Sequence, residues 1–213
     1  YGILLAGEMG IGNTTPASIL ASLLTGLPLE KAIGRGAGLS DEGLEKKKRA
    51  AERAVSRFAS RYPELMEDLG EGRRARKEAE KEAALLLLSE LGGYDLAGMA
   101  GLFLGGGIYR LPVVIDGSIS ATAALLADQM AGGIAEFLFS SHISTEPSGC
   151  AALEALGVHA PLDLGMHLGE GTGAALYIPL LRMGAAVYEK MSTFEEISVT
   201  PYVDYEGEKE IKP

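Results

Sequence analysis

The chain has 213 residues, 47% of them apolar, with a formal net charge of −10 and 29 glycines against no tryptophan. That apolar content suffices for one sizeable buried core and excludes a disordered chain, while so acidic a balance excludes a nucleic-acid surface, which needs clustered Lys and Arg to displace counterions from phosphates. The single cysteine, Cys150, excludes an intrachain disulfide framework and a cysteine-cluster metal site, and fits a reducing cytoplasmic compartment.

Residues 2 to 5, Gly-Ile-Leu-Leu, read as a buried strand. Tyr1 is not an initiator Met and the strand begins at once, so the natural chain is expected to begin well upstream. Ala6 to Gly12 is rich in glycine, and Asn13, Thr14 and Thr15 precede Pro16 and an Ala/Ile/Leu stretch that ends at Gly26. This spells strand, glycine loop and helix, with Asn13 or Thr14 as the cap and Pro16 in the first turn. From Asp41 to Tyr62, Leu44, Ala51, Ala54, Val55, Phe58 and Tyr62 recur at helical spacing, and Pro63 ends the helix. Lys47 falls on this apolar stripe, where its stem is expected to pack while its ammonium reaches out to water.

A second helix runs from 73 to 91, charged at first and then Leu-rich, stopped by Gly92-Gly93. Its strictly apolar run, Ala83 to Leu88, is the longest in the chain and far short of the ~20 residues a bilayer span needs; with no visible signal peptide, no membrane partner is expected. Asp95 then caps a third helix, which Gly105-Gly106-Gly107 ends. Pro112 to Ile115 is a buried strand closed by Asp116-Gly117, with a helix from about Ser120 to Met130. Glu136 to Phe139 is a weaker strand candidate ending at Ser140, Ser141 and His142, and a helix follows from about Pro147 to Leu156. Leu162 to Leu168 is the last core unit, followed by Gly169-Glu170-Gly171-Thr172-Gly173 and a helix from Ala174 to about Met191. Strand, polar turn and helix thus alternate about four times, which predicts an α/β fold with a parallel sheet.

In such sheets ligands bind at the carboxyl ends of the strands, and four sets of polar residues fall there: Glu8 with Asn13 to Thr15, Asp116, Ser141 to Ser144, and Glu170 with Thr172. The loop Gly7 to Thr15 leads from strand into helix, so its backbone N–H groups can cradle an anion or simply form a tight turn; it lacks the Gly-Lys-Ser/Thr ending of a Walker loop and the glycine spacing of a dinucleotide fingerprint. Glu170 stands among residues of little bulk, where it can act as a general base against an apolar wall or merely favour the dipole of the following helix. Asp116 can bind a ligand hydroxyl or hold its own turn. His142, His159 and His167 are spaced unlike any metal site, so no metal is expected. Cys150, between Gly149 and Ala151, reads as a small apolar residue rather than a nucleophile, and Tyr94 and Phe58 read as core.

Five stretches taken together, Gly7 to Thr15, Gly92-Gly93-Tyr94-Asp95-Leu96-Ala97-Gly98-Met99-Ala100-Gly101, Leu111-Pro112-Val113-Val114-Ile115-Asp116-Gly117, Ser141-His142-Ile143-Ser144 with Glu146, and Leu168 to Ala174, resemble the nicotinate-nucleotide:dimethylbenzimidazole phosphoribosyltransferase family. The resemblance runs to about Ser198, so residues 1–198 read as the C-terminal portion of the phosphoribosyltransferase domain and 199–213 as an acidic peripheral tail. It implies a Rossmann-like parallel sheet flanked by helices, with part of a smaller helical domain, in a homodimer. Family chains extend further at the N-terminus, and that portion supplies part of the pocket for the incoming base.

The resemblance also implies roles. Glu170 matches the catalytic glutamate that takes the proton from the base nitrogen, and Glu8 and Lys47 match two further polar active-site positions. The backbone of Gly10, Ile11 and Gly12, with Asn13, Thr14 and Ser144, matches phosphate-binding positions, and Met9 and Leu168 line the base pocket. Apart from the resemblance, Asp116, Gly169 and Gly171 are read from their own positions as further substrate-binding residues. His167 stands where the family carries an Arg. The implied substrates are nicotinate mononucleotide and a benzimidazole-type base, with no cofactor. The contrasting expectations are a non-catalytic nucleotide-binding or assembly module, and a relative that uses adenine or phenolic acceptors.

Overall fold

The computed structural model describes residues 2–70 and 77–200. Three short strands, β1 (Leu4–Ala6), β2 (Val113–Ile115) and β3 (Leu138–Ser140), form a parallel sheet in the order β1-β2-β3. Their register aligns Ala6, Ile115 and Ser140, so the residues that follow, Gly7, Asp116 and Ser141, emerge side by side at one edge. All three residues of β2 are buried, as expected of a parallel strand covered on both faces.

Helices α1 (Thr14–Thr25), α2 (Leu29–Ala32), α3 (Asp41–Arg61), α4 (Pro63–Gly70), α5 (Lys77–Leu91) and α6 (Tyr94–Tyr109) lie between β1 and β2. After β2 come α7 (Ser118–Ala131), a single 3-10 turn at Ile134–Phe137, β3, α8 (Pro147–Leu156) and α9 (Thr172–Lys190). The core centres on α7, whose residues from Ser120 to Ala127 are all buried and which packs against α1, α5, α6 and α8. Local chemistry accounts for most boundaries. Ser40 accepts a hydrogen bond from Gly43 N at 3.2 Å to cap α3, and Asp41 and Glu42 complement the helix dipole in its first turn. Gly26 and Gly157, with φ of 75° and 68°, close α1 and α8 in the left-handed conformation that glycine adopts without penalty.

Several expectations are corrected. No fourth strand forms among the described residues at 162–168; a single parallel bridge between His142 and Leu162 stands in its place, the following segment being exposed for most of its length. The third strand starts at Leu138 because Ile134–Phe137 winds into the 3-10 turn. Gly105-Gly106-Gly107 does not stop α6, which continues to Tyr109 and is capped by Arg110 at φ 53°; a side chain on Gly106 would overlap Val113, so this glycine serves the approach of α6 to β2. Asp95 is not the cap of that helix, a position taken by Gly93, and Tyr94 is 99% exposed rather than core. Pro63 does end α3 but opens α4. The start of the helix expected from 73, and the acidic tail beyond residue 200, lie outside the described residues. Cys150 stands exposed on α8, its thiol donating to Ser144 O at 3.4 Å.

Two compact units divide at Tyr177/Ile178. The first holds the sheet and every residue of the site below. In the second, α9 continues to Lys190, and Thr193 N donates to Glu196 Oε2 at 2.8 Å while Glu196 N donates back to Thr193 Oγ1 at 3.3 Å. Among the described residues no helix is long and apolar enough to cross a membrane.

Candidate active site

A cleft of about 210 Å³ opens over the carboxyl ends of the strands. Of the site residues named from sequence, Glu8, Met9, Gly10, Asn13, Thr14, Asp116, Ser144, Leu168, Gly169 and Glu170 line it; Ile11, Gly12, Lys47 and Gly171 do not. Ile11 is fully exposed, and Gly12, at φ 81°, makes the bend that turns the loop into α1.

The loop after β1 is drawn together by side chains. Gly10 N donates to Glu8 Oε2 at 2.5 Å, and the Asn13 amide donates both to Glu8 and to Asp95 Oδ2, the latter at 2.6 Å. Asn13 occupies the N-cap position of α1 without a side-chain capping bond, its NH₂ group donating instead to the two carboxylates. Asp95 enters the site from 82 positions away, and a spacing-based reading assigns it only to its own helix.

Lys47 is 7% exposed and does not reach water. Its Nζ donates to Thr14 Oγ1 at 2.9 Å and to Gly34 O at 2.8 Å, which fixes α3 to the first turn of α1 directly behind the cleft wall. Burial pushes the ammonium below its ordinary value, and the Glu146 carboxylate nearby pulls it partly back. Glu146 itself lines the cleft, accepting from Gly36 N at 2.9 Å through Oε1 while Oε2 is buried without a partner. Sequence reasoning assigns no role to Glu146 or to the 34–36 loop. The signal lies in the run Gly34-Arg35-Gly36-Ala37-Gly38, too glycine-rich for a helix, and in Glu146 immediately before the Pro that starts α8.

Glu170 sits exposed on the opposite rim at φ 61°, left-handed for a residue with a side chain. The carboxylate that meets the N–H groups opening α9 is not its own but that of Asp116, which accepts from Gly171 N at 3.0 Å and Ala174 N at 2.9 Å. Asp116 is 3% exposed. Beside it, His142 is buried with Nδ1 at 3.0 Å from Ser141 Oγ, and any side chain on Gly173 would overlap its ring. His167 is exposed, Nδ1 lying 3.2 Å from Thr145 Oγ1. Ser144 Oγ accepts from Glu146 N at 3.2 Å at the cleft wall. Among the described residues no three His, Cys, Asp or Glu side chains are grouped to hold a metal ion.

A family model described as phosphoribosyltransferase matches residues 1–199. The nicotinate-nucleotide–dimethylbenzimidazole phosphoribosyltransferase of Acetivibrio thermocellus is 42% identical over 200 residues, covering 94% of this chain and 52% of its own. That of Clostridium acetobutylicum is 41% identical over 196 residues, covering 92% of this chain and 50% of its own. The crystal structure of CobT from Thermus thermophilus superposes with a TM-score of 0.78 at 41% identity, over 94% of this chain and 54% of that one. The chain spans about half the length of the curated relatives it matches.

Proposed function

The chain belongs to the phosphoribosyltransferase family whose model matches residues 1–199, and from that premise we propose that the protein transfers the ribose phosphate of nicotinate mononucleotide to 5,6-dimethylbenzimidazole or a related base, giving α-ribazole 5′-phosphate and nicotinate for the lower ligand of cobalamin. The observation that carries this reading is the meeting, in one cleft at the carboxyl ends of three parallel strands, of a glycine loop bearing Glu8 with an exposed carboxylate, Glu170, on the facing rim.

The chemistry needs little more. The C1′–N bond of nicotinate mononucleotide breaks with its electron pair passing to a pyridinium nitrogen, so nicotinate leaves without acid catalysis. One nitrogen of the benzimidazole forms the new bond to C1′ from the opposite face, which inverts that carbon to the α configuration. The other ring nitrogen loses its proton to Glu170. The Gly10–Gly12 backbone with Asn13, Thr14 and Ser144 holds the phosphate, and Met9 and Leu168, 82% and 56% exposed on either side of the cleft, offer apolar surface to the flat base. Glu8 and Lys47 organise the loop that bears the phosphate donors. The protein acts on these small molecules as a homodimer in the cytoplasm, a reading supported by the resemblance and by a lone exposed thiol; a net charge of −10 argues against nucleic acid as a partner.

The test is chromatographic detection of nicotinate and α-ribotide from nicotinate mononucleotide plus 5,6-dimethylbenzimidazole, with the protein at its full natural length. Glu170→Gln is expected to lower turnover by about 10²- to 10⁴-fold, the usual contribution of a positioned base, with the nucleotide still bound. Equal turnover by both proteins would remove Glu170 from the role of base.

A further inference from the structure

We infer that Asp116 is a positioning residue: it holds the backbone that carries Glu170 and thereby aims the Glu170 carboxylate into the cleft, rather than binding substrate itself. The inference rests on the assignment of Glu170 as the base.

Four observations lead there. Asp116 is the first residue beyond β2, the central strand and the one buried along its whole length, so its Cα is tied to the middle of the sheet. Each of its polar atoms already has a protein partner: the carboxylate oxygens accept from Gly171 N and Ala174 N, its own N–H donates to Ser120 Oγ at 2.9 Å, and its carbonyl accepts from Ser141 Oγ at 2.8 Å. Hydrogen bonds from N–H groups to an ionised carboxylate are stronger than neutral ones, and these two lie at the positive end of a 19-residue helix. Both follow closely on the residue they act on, since Gly171 is the next residue after Glu170 and Ala174 lies in the first turn of α9.

Glu170 needs such a hold. Its φ of 61° lies in a region disfavoured for any residue with a Cβ, and such a conformation persists only where surrounding contacts over-determine it. On the other side of the loop Gly7 packs so closely on Gly171 that a Cβ at residue 7 would overlap the Gly171 backbone. The loop is thus pinned between the ends of β1 and β2, and its one side chain with an acid group is turned outward to the cleft rim while the Asp116 carboxylate stays 3% exposed beneath it.

The experiment is Asp116→Asn, a near-isosteric change that keeps one acceptor but turns an NH₂ group toward one of the two N–H donors. In the full-length enzyme it is expected to lower kcat about 10²-fold, the scale of a misplaced catalytic group, with the KM for nicotinate mononucleotide within about twofold. On a Glu170→Gln background the same change is expected to cost nothing further, because it acts through the group already removed. A raised KM at unchanged kcat would make Asp116 a substrate ligand and overturn the inference, as would losses that multiply in the double variant. Full activity of Glu170→Gln alone is a different signature: it sinks the base assignment, and this inference with it. Amide hydrogen exchange on the unaltered enzyme needs no variant to fold. Gly171 and Ala174 are expected to exchange markedly slower than open loop amides, and free exchange at both would show that Asp116 holds nothing.

Discussion

The ammonium of Lys47 donates to the hydroxyl of Thr14 at 2.9 Å, joining the second turn of α3 to the first turn of α1 across 33 positions of sequence. Because that cation is 7% exposed, its proton is held less tightly in the folded chain than in the unfolded one, and Glu146 offsets only part of the effect.

The sign of the pH effect follows. Between the lowered folded value and the ordinary 10.5, the unfolded chain binds more protons at this position than the folded chain, so the Lys47 contribution to stability rises with pH across that window. Lys47→Met removes the titrating group. The unfolding free energy of the parent minus that of Lys47→Met, from urea titrations at several pH values, is expected to climb from neutral pH toward 10.5 and then level off. Taking the difference cancels Tyr62 and Tyr177, whose burial raises their own values and which oppose the trend at the alkaline end. A flat difference would show that burial does not govern this lysine.

Two glycines should respond in opposite ways to alanine. A Cβ on Gly7 would overlap backbone atoms of Gly171, which cannot rotate aside as a side chain can. Gly7→Ala is expected to destabilise the protein by about 1–3 kcal/mol and to lower turnover as well, since the Glu170 loop must shift to make room. Gly98, inside α6, has nothing within 4 Å of the same added atom. Gly98→Ala is expected to stabilise by about 0.5–1 kcal/mol, through lost freedom of the unfolded chain, with turnover unchanged. Thermal unfolding and the nicotinate-release assay on both variants check the pair together.

Asn13 keeps two acids side by side. Its amide donates to Glu8 and to Asp95 Oδ2, and Asn13→Asp would set a third carboxylate where both require a donor. The expected cost is about 1–3 kcal/mol in stability, the usual penalty for a buried polar group left unmatched, and a raised KM for nicotinate mononucleotide as the loop opens. Asn13→Ala, which removes the donor without adding charge, is expected to fall between. If Asn13→Asp binds the nucleotide as well as the parent, the amide is not what shapes the loop.

Elements governed by local chemistry were legible in the sequence. The helix expected from about Pro147 to Leu156 forms over Pro147–Leu156, because Pro at its start and Gly157 at its end are signals carried by the backbone itself. The same kind of reading failed at Gly105 to Gly107, where three glycines look like a stop; α6 runs through them because Gly106 lets the helix close on Val113, a contact no spacing announces. It failed at Leu162 to Leu168 too, since a segment of alternating apolar residues becomes a strand only when a neighbouring edge offers a full ladder, and here the edge offers one bridge.

The candidate site divides along the same line. Alternating strands and helices, and the polar segments lying just beyond the strands, were determined by the sequence alone, because strand periodicity and turn residues act over a few positions. Which acid does what was decided only by tertiary structure. From sequence, Glu170 could be a base or a partner of the last helix's dipole, and Asp116 a ligand contact or the holder of its own turn; parallel pairing of β1 with β2, more than a hundred positions apart in the chain, sets Asp116 beneath α9 and leaves Glu170 facing the cleft. Lys47 was expected to reach solvent, and it stays buried because Thr14 and Gly34 supply acceptors that its own helix lacks. Hydrogen-bond partners of buried charges come from whatever the fold brings near, and that proximity exists only once the distant strands have paired.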